Sequence, residues 1–417
     1  MDRFVIEGGV PLNGTIKVSG AKNSALPILI ATLLTDESCV IENVPSTLRD
    51  LRTTFRLLES LGKKVVVEGS TVRVLSTGSL KTQAPYEIVK QMRASVLAAG
   101  PLLARFGLVR VPIPGGCAIG LRPIDIHLKG FEAMGARRIA DQGDIIMSAP
   151  RLTARTIKLR FPSVGATQNL MMAAAATPGR TVIKNAAKEP EMEDLGRFLV
   201  RLGAKVTGAG TATVAVEGRA KLSGCRHRVI PDRIEAGTYI LACAAARGKV
   251  RLQGAEAGHL TAVLAALRKA GVKVRSGKGF IEVSMDRRPR PVAVVTRPYP
   301  GFPTDLQAPW MALMTLSTGF AKVTETVFEN RYLHAAELGR MGAQIAVSGR
   351  AAVVAGVERL SGAPIMASDI RAGAALLVAA LAAKGRTTIQ RVYHIDRGYE
   401  FLVEKLAAAG ARVERQR

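Results

Sequence analysis

Acidic and aromatic residues are both scarce in this sequence. Its 33 Asp and Glu stand against 59 Lys and Arg, so the formal net charge is +26, and aromatic residues account for only 4% of the chain. A positive charge of this size attracts anions of many kinds, from nucleic acids to phosphorylated metabolites. Nucleic-acid-binding surfaces usually interleave basic residues with aromatic side chains that stack on bases, and no such interleaving is present here. The charge alone does not identify the anion, but the missing interleaving argues against a nucleic-acid partner.

Long apolar runs and paired metal ligands are also missing. The longest apolar runs, at 25–34 and 374–383, are far shorter than the roughly 20 residues of a membrane-spanning helix. The first residues, MDRFVIEGG, lack the apolar core of a signal peptide, which predicts a cytoplasmic protein. The five histidines form no ligand pair four positions apart, and the cysteines fall at no zinc-ligand spacing, so we predict no metal site and expect free thiols. The cysteines are Cys39, Cys117, Cys225 and Cys243.

A short phrase recurs six times along the chain, for example as LGKKV at 61–65 and LGAKV at 202–206. Each copy follows a run with apolar residues three and four positions apart, typical of an amphipathic helix, and precedes a short strand-like run. The glycine of each copy stands where a helix end needs a left-handed residue. Six units of about 70 residues account for nearly the whole chain. The six glycines are Gly62, Gly135, Gly203, Gly271, Gly342 and Gly410.

Each unit also contains a second helix that is apolar on nearly every side, such as NSALPILIATLL, and a helix without a polar face is buried. We therefore predict an α/β protein in which six buried helices are wrapped by amphipathic helices and strands, as two domains of three units. A doubly wound parallel sheet and a solenoid are the alternatives, although such long mixed units fit a solenoid poorly. Pro231 marks the predicted domain boundary, and the N-terminal strand could pair with either domain.

Charged residues open several of these buried helices. A helix N-terminus offers unpaired N–H groups and the positive end of the dipole, so it binds anions. A cation there is unfavourable unless an anion joins it, and its recurrence at Lys22, Arg93 and Arg371 predicts a site for a small, multiply charged anion. Solvated helix ends are the alternative. Asp305 and Asp369 are either N-caps or functional acids, and Arg397 lies in a polar turn that a solvated helix entry would also explain.

One cysteine lies in an unusual loop, PGGCAIGLRP at 114–123. The loop lacks the Lys-Ser/Thr of a phosphate-binding P-loop and does not match GxGxxG. Cys117 could be a small apolar filler, but three glycines give the segment wide backbone freedom, which suits a filler poorly. Nearby positive charge lowers a thiol pKa, and Arg122 lies five positions further on. We predict that Cys117 is a reactive thiol.

The motifs together resemble one family, the UDP-N-acetylglucosamine enolpyruvyl transferases of the EPSP synthase-like superfamily. The resemblance runs through the whole chain in SGAKNSALPILIATLL, QMRASVLAAGPLLARFG, PGGCAIGLRPIDIHLKGFEAMGA, PSVGATQNLM, NAAKEPE, PDRIEAGT, FPTDLQA, TETVFENRYLH, GAPIMASDIRA and HIDRGYE. It implies two inside-out α/β domains, each of three repeated βαβαββ units. One would comprise 20–230 with the Cys117 loop, the other 1–19 with 231–417, and the active site would lie in the cleft between them.

The resemblance also implies an activity. The enzyme would transfer the enolpyruvyl group of phosphoenolpyruvate to the 3′-hydroxyl of UDP-N-acetylglucosamine and release phosphate, as the first committed step of peptidoglycan synthesis. The reaction would pass through a tetrahedral ketal and need no metal or organic cofactor. Cationic groups would stabilise both the bound anion and the departing phosphate. Cys117 would protonate the methylene carbon or form a covalent adduct with phosphoenolpyruvate, and it would be the target of the epoxide antibiotic fosfomycin.

Further residues acquire roles by the same resemblance. Asp305 would orient and deprotonate the 3′-hydroxyl, a role that requires hydrogen-bond reach. Lys22, Cys117, Asp305 and Arg397 would be catalytic. Phosphoenolpyruvate would contact Lys22, Asn23, Arg122, Arg371 and Arg397. UDP-N-acetylglucosamine would contact Arg93, Arg122, Pro123, Ile124, Asp125, Ile126, Ser163, Val164, Gly165, Asp305 and Val327, with Arg233, Arg331 and Asp369 in support.

Two features depart from the family pattern. The PSVG turn is preceded by Arg160 and Phe161, where relatives often have Asp or Lys, so the diphosphate contact is open. The net charge of +26 is high for the family. The sister enzyme that makes enolpyruvylshikimate phosphate lacks such a loop cysteine. A catalytically inactive paralogue would not be expected to retain Lys22, Cys117, Asp305 and Arg397.

Overall fold

Four of the six repeated units follow the order strand, helix, strand, helix, strand, strand, as seen in a computed structural model of the protein. The structure describes residues 2–112, 124–139 and 144–417. The α-helices are α1 (Lys22–Ala31), α2 (Arg49–Ser60), α3 (Tyr86–Val89), α4 (Ala99–Phe106), α5 (Asp125–Ala133), α6 (Val164–Ala175), α7 (Pro190–Arg201), α8 (Arg233–Ala246), α9 (Thr261–Ala270), α10 (Gln307–Met314), α11 (His334–Arg340), α12 (Ile370–Ala382) and α13 (Leu402–Ala408).

The strands are short, mostly of three to six residues. They are β1 (Arg3–Glu7), β2 (Asn13–Lys17), β3 (Cys39–Glu42), β4 (Lys63–Glu68), β5 (Thr71–Ser76), β6 (Leu108–Pro112), β7 (Arg137–Ile139), β8 (Asp144–Ser148), β9 (Thr156–Lys158), β10 (Gly179–Lys184), β11 (Lys205–Thr207), β12 (Thr213–Gly218), β13 (Arg226–Arg228), β14 (Lys249–Gln253), β15 (Lys273–Gly277), β16 (Phe280–Ser284), β17 (Val294–Val295), β18 (Phe320–Thr324), β19 (Gln344–Ser348), β20 (Ala351–Ala355), β21 (Pro364–Met366), β22 (Arg386–Gln390) and β23 (Arg412–Gln416).

The chain divides into two compact units. It passes from one unit to the other between Ser19 and Gly20, and it returns between Ile230 and Pro231. Within the described residues, the unit of 20–112 and 124–230 contains sheets β13-β3-β5-β4, β6-β8-β7 and β11-β12-β10-β9. The unit of 2–19 and 231–417 contains sheets β15-β16-β14-β2, β17-β18-β20-β19 and β21-β22-β1-β23. Each four-stranded sheet mixes parallel and antiparallel pairs, so the doubly wound parallel sheet is wrong. The prediction of repeated α/β units is confirmed.

Three strands pair outside the repeat in which they stand in sequence. β1 completes the last sheet by pairing antiparallel with both β22 and β23. β2 precedes α1 but pairs parallel with β14, and β13 precedes α8 but pairs parallel with β3. The strand before each unit boundary therefore supplies the edge of a sheet in the unit that the chain is leaving.

The apolar helices form the interior of each unit, as predicted. Helices α1, α4 and α6 lie in one core, and α8, α10 and α12 pack against one another in the other. Trp310 and Tyr239 are the largest fully buried side chains of that second core. The six predicted cap glycines all have positive φ, between 87° and 109°, so this prediction is confirmed. Among the described residues, none of the helices has both the length and the apolar composition that crossing a membrane requires.

Candidate active site

Lys22 is the first residue of α1 and is buried against Asp50 of α2. Its Nζ donates a hydrogen bond to Asp50 Oδ2 over 3.0 Å, and both side chains are less than a tenth exposed. The carboxylate offsets the like charge that a cation places beside the positive end of a helix dipole. The half-buried Asn23 follows directly. The structure thus holds a buried cation at the helix start that the sequence predicts to meet an anion.

A buried carboxylate, Asp194 of α7, fastens the first turn of this helix. Its Oδ2 accepts hydrogen bonds from Ser24 Oγ (2.6 Å) and from the backbone N of Ile230 (3.1 Å), and its Oδ1 lies 3.0 Å from His227 Nε2. Burial alone would raise the pKa of Asp194, but the hydrogen bonds from His227 and Ser24 outweigh burial and lower the pKa. Asp194 therefore ties the turn that carries Lys22 to the last residues of its unit. Sequence reasoning missed it.

His127 and Asn169 join α5 to α6 near another predicted contact region. Asn169 Nδ2 lies 3.1 Å from His127 Nδ1, and Asn169 Oδ1 accepts from the backbone N of Gly100 over 2.7 Å. The helices approach so closely that a Cβ on Gly165 would lie 3.2 Å from the His127 ring. Burial, helped by the charge of Arg93, lowers the pKa of His127 to about 4. The imidazole is therefore neutral at neutral pH, with Nδ1 as the acceptor.

The buried neutral imidazole gives a prediction for acid stability. The folded pKa of His127 lies below the ordinary value of 6.5, so the unfolded chain binds the proton more readily. The neutral His127 imidazole contributes its full stabilisation above pH 6.5, and this stabilisation is lost as the pH falls towards 4. The loss approaches about 1.4 kcal/mol per pH unit across that window. Urea unfolding at pH 7 and pH 4.5 should show a shallower loss in His127→Gln than in the unmodified protein, and equal losses would contradict this account.

Two of the predicted nucleotide-sugar residues of this unit, Asp125 and Ser163, lie at the starts of α5 and α6. Asp125 begins α5, and its Oδ2 lies 2.7 Å from Nη2 of Arg160. Asp125 Oδ1 is buried and, within the described part of the chain, has no hydrogen-bond partner. Ser163 is the N-cap of α6 and accepts from the backbone N of Ala166. Arg160 is thus an ion-pair partner of a predicted site residue, which the sequence alone did not indicate.

Asp305 is the centre of a cationic cluster in the other unit. Its Oδ1 accepts hydrogen bonds from Nη2 of Arg331 over 3.0 Å and from Nε of Arg371 over 3.2 Å. Burial would raise the pKa of Asp305, but the charges of Arg371 and Arg331 outweigh burial and hold the pKa well below its usual range. Asp305 lies in a 3₁₀ turn and caps neither that turn nor α10. The N-cap alternative is therefore wrong for Asp305.

Asp369 and Tyr399 hold Arg371 in place. Asp369 is the N-cap of α12 and accepts from the backbone N atoms of Arg371 (2.8 Å) and Ala372 (3.1 Å). Arg371 Nη1 donates to the hydroxyl of Tyr399 over 3.3 Å, and that hydroxyl lies 2.9 Å from Thr238 Oγ1. The cap alternative is thus correct for Asp369. Its backbone contacts fix the turn that presents Arg371 to Asp305.

The remaining predicted cations of this unit also stand at helix ends. Arg233 is the first residue of α8, and its guanidinium lies 5.6 Å from the centre of the Tyr299 ring. Asp232 caps the same helix by accepting from two backbone N–H groups. Arg397 is half-buried at the end of the 3₁₀ segment Val392–Arg397.

Glu325 links the turn of Asp305 to the loop of Val327. Its Oε2 accepts from Thr304 Oγ1 over 2.8 Å, while its Oε1 accepts from Thr296 Oγ1 (2.8 Å) and from the backbone N of Val327 (2.7 Å). Glu325 is fully buried. The sequence analysis did not identify Glu325 as a site residue. Its hydrogen bonds position the turn of Asp305 and the loop of Val327 together.

Three predicted residues cannot be placed in this way. Cys117, Arg122 and Pro123 lie outside the described residues. Their assigned roles stay predictions.

Comparisons with known proteins show the family to which the chain belongs. Residues 6–406 match the family model described as EPSP synthase (3-phosphoshikimate 1-carboxyvinyltransferase). A UDP-N-acetylglucosamine 1-carboxyvinyltransferase from Elusimicrobium minutum is 52% identical over 417 residues, covering 100% of this chain and 99% of the relative. One of the same name from Nitratidesulfovibrio vulgaris is 51% identical over 417 residues, covering 100% of both chains.

Solved structures share the fold. The enolpyruvyl transferase NikO from Streptomyces tendae superimposes with a TM-score of 0.90 at 26% identity, covering 100% of this chain and 99% of that one. The EPSP synthase of Acinetobacter baumannii gives a TM-score of 0.75 at 17% identity with complete coverage of both chains, which supports the fold alone. Because about half of all positions are identical over the full length of the named relatives, this chain belongs to the UDP-N-acetylglucosamine 1-carboxyvinyltransferases, a group of enolpyruvyl transferases within the EPSP synthase family.

Proposed function

We propose that the enzyme transfers the enolpyruvyl group of phosphoenolpyruvate to the 3′-hydroxyl of UDP-N-acetylglucosamine and releases phosphate. The observation that carries this proposal is the identity of about half of all positions to full-length relatives named for that acceptor. The reaction is the first committed step of peptidoglycan synthesis, it takes place in the cytoplasm, and it needs no metal or organic cofactor.

The first step is an addition. The acceptor oxygen bonds to C2 of phosphoenolpyruvate while a proton joins the methylene carbon, which gives a tetrahedral ketal that still carries phosphate. Asp305 is ionised at neutral pH because two guanidinium groups lower its pKa, so it can accept a hydrogen bond from the 3′-hydroxyl and receive its proton. Cys117 supplies the proton to the methylene carbon in this proposal.

The second step is an elimination. Phosphate leaves from C2 and the methyl group loses a proton, which restores the double bond in the product. Lys22, with Asn23 beside it, and the cations Arg122, Arg371 and Arg397 stabilise the carboxylate and the leaving phosphate. Fixed cations stabilise developing negative charge without reorganising during the reaction. Asp369 and Tyr399 hold Arg371 through hydrogen bonds, which supports this role.

The acceptor contacts follow from polar groups that are already oriented. The buried Asp125 Oδ1 accepts a hydrogen bond from the nucleotide sugar, since it has no partner within the described residues. Arg160 lies beside it and supplies positive charge for the diphosphate. Glu325 keeps Val327 at a set distance from the turn of Asp305 through its hydrogen bonds.

A phosphate-release assay tests the proposed reaction. Phosphoenolpyruvate is supplied with UDP-N-acetylglucosamine, with shikimate 3-phosphate, or with no acceptor. Phosphate release is expected only with the nucleotide sugar, and Cys117→Ser is expected to be slower by about 10²-fold or more because it loses the proton donor. Release that ignores the acceptor, or that requires shikimate 3-phosphate, would contradict the proposal.

Fosfomycin labelling tests the role of the thiol. Because an epoxide alkylates a thiolate, fosfomycin is expected to inactivate the enzyme and add its mass to the peptide that contains Cys117. Peptide mass spectrometry after complete inactivation measures this, with Cys243→Ser as a matched control that should be inactivated and labelled like the unmodified protein. An unmodified Cys117 peptide in fully inactivated enzyme is the opposing result.

A further inference from the structure

Two further cysteines face each other across neighbouring strands of one sheet. Cys39 begins β3, and Cys225 directly precedes β13. The two strands run parallel, with Val40 opposite Arg226, and the backbone N of Val40 donates to the carbonyl of Cys225 over 2.9 Å. Continuing this register by one residue places Cys39 opposite Cys225.

This placement makes the two cysteines neighbours across the strand pair. Neighbouring strands lie about 4.8 Å apart, within the Cα separation of about 4.4–6.8 Å that a disulfide can span. Each thiol shifts the pKa of the other, as expected of neighbouring cysteines. Cys39 is fully buried, whereas Cys225 is partly exposed. A reagent in solution therefore reaches Cys225 more readily than Cys39.

The ionisation of the pair supports this chemistry. The hydrogen bond from Cys225 lowers the pKa of Cys39 against the effect of burial, and the charge of Lys63 acts in the same direction. The same hydrogen bond, together with burial, raises the pKa of Cys225. The pair therefore loses its first proton readily and its second with difficulty. Cys39 has the thiolate character that a resolving cysteine needs.

We propose that Cys39 and Cys225 form a reversible disulfide that links β3 to the start of β13, the last strand of their unit. The oxidant is a low-molecular-weight disulfide. The Cys225 sulfur attacks the oxidant as its proton passes to the Cys39 thiolate, which gives a mixed disulfide on Cys225 and releases one small thiolate. That small thiolate takes the proton back from Cys39, and the Cys39 thiolate then attacks the Cys225 sulfur, forms the Cys39–Cys225 bond and releases the second small thiolate. Two protein thiols are oxidised, the S–S bond of the oxidant is reduced to two thiols, and the two protein protons go to those thiols.

The disulfide would enclose a loop that contains most of the residues of the unit. β13 is the last strand before the boundary at Ile230–Pro231, and its pairing with β3 spans only three residues. The backbone N of Ala21, at the start of the unit, donates to the carbonyl of Ile230 over 2.7 Å. A disulfide at this point would therefore fix the two ends of the unit to each other. A cross-link across a long loop restricts the unfolded chain strongly, so the thermal midpoint should rise.

Thiol mapping of the full-length protein tests the proposal. The protein is incubated with oxidised glutathione or with dithiothreitol, blocked with iodoacetamide and digested without reduction. The expected result is a linked Cys39–Cys225 peptide only after oxidation, lost again on adding dithiothreitol, with a thermal midpoint raised by about 5 °C or more. Oxidised protein in which both cysteines stay alkylated, or in which Cys225 keeps glutathione, would overturn the proposal.

Single-cysteine variants show which cysteine attacks the oxidant and which one resolves the mixed disulfide. Cys39→Ser should accumulate glutathione on Cys225, because no thiol is present to displace it, and Cys225→Ser should form neither adduct nor cross-link at Cys39. Cys243→Ser is the matched control, since burial raises the pKa of Cys243 to about 12 and it belongs to the other unit. The linked peptide must persist in that control. A cross-link that vanishes with Cys243→Ser would contradict the assignment, and the mapping of the unmodified protein decides the matter even if a variant folds poorly.

Discussion

Replacement of Asp305 by asparagine is expected to lower kcat for phosphate release by about 10²–10⁴-fold, the usual contribution of a general base. The amide keeps the size of the side chain but cannot take the hydroxyl proton. It also removes the charge that pairs with Arg331 and Arg371, whose contacts to Asp305 Oδ1 are 3.0 and 3.2 Å long. Steady-state kinetics with both substrates varied will measure the change.

The matched control for this variant is Asp286→Asn in the same unit. Asp286 is an exposed acid that pairs with Lys273 over 3.3 Å, and solvent screens such a surface pair so that it contributes little to stability. Its kcat should stay within about twofold of the unmodified enzyme. If Asp305→Asn keeps full kcat while Asp286→Asn behaves as expected, Asp305 is not the base.

The variant Asp50→Asn is expected to lower the free energy of unfolding by about 3 kcal/mol or more, because breaking a buried ion pair leaves the partner charge poorly compensated. The Lys22–Asp50 pair is 3.0 Å long, and its side chains are only 9% and 8% exposed. The KM for phosphoenolpyruvate should rise as well, since the ammonium proposed to bind it is no longer held. Urea unfolding and steady-state kinetics will measure the two effects.

An exposed pair in the same unit supplies the comparison. Asp36 lies 2.6 Å from Arg105 and its side chain is 64% exposed, so solvent screens the interaction. Asp36→Asn should change the free energy of unfolding by less than about 1 kcal/mol. Equal destabilisation by the two variants would show that burial of the Lys22–Asp50 pair does not govern its strength.

Much of the fold could be predicted because its signals are local. A helix, a glycine cap and a strand recur within each stretch of about 70 residues, and all six glycines have the left-handed backbone that the pattern requires. The helices that are apolar on every side are predicted to be buried from their composition alone. The strand exchange of β2 and β13 could not be read in the same way, because parallel pairing joins segments that are far apart in sequence.

The candidate site was predicted only in part, for a related reason. Lys22 and Arg371 stand at helix starts, where a cation is unfavourable without an anion, so their positions stood out. Asp50 and Asp194 gave no such signal, because an acid in an amphipathic helix normally faces solvent. Glu325 did give one, since it continues the inward-facing alternation of Ala321 and Val323 along β18. An acid at an inward position of a strand must be hydrogen-bonded.

The sequence by itself determined the six repeated units, their buried helices and the cations at the helix starts, because periodicity and capping depend on neighbours within a few positions. Only the tertiary structure decided which charges meet: Lys22 with Asp50, Asp125 with Arg160, and Asp305 with Arg331 and Arg371. It also paired β3 with β13, which brings the neighbouring residues Cys39 and Cys225 to the same end of the two strands. These contacts join residues distant in sequence, and their strength depends on burial and distance, which exist only once the chain has folded.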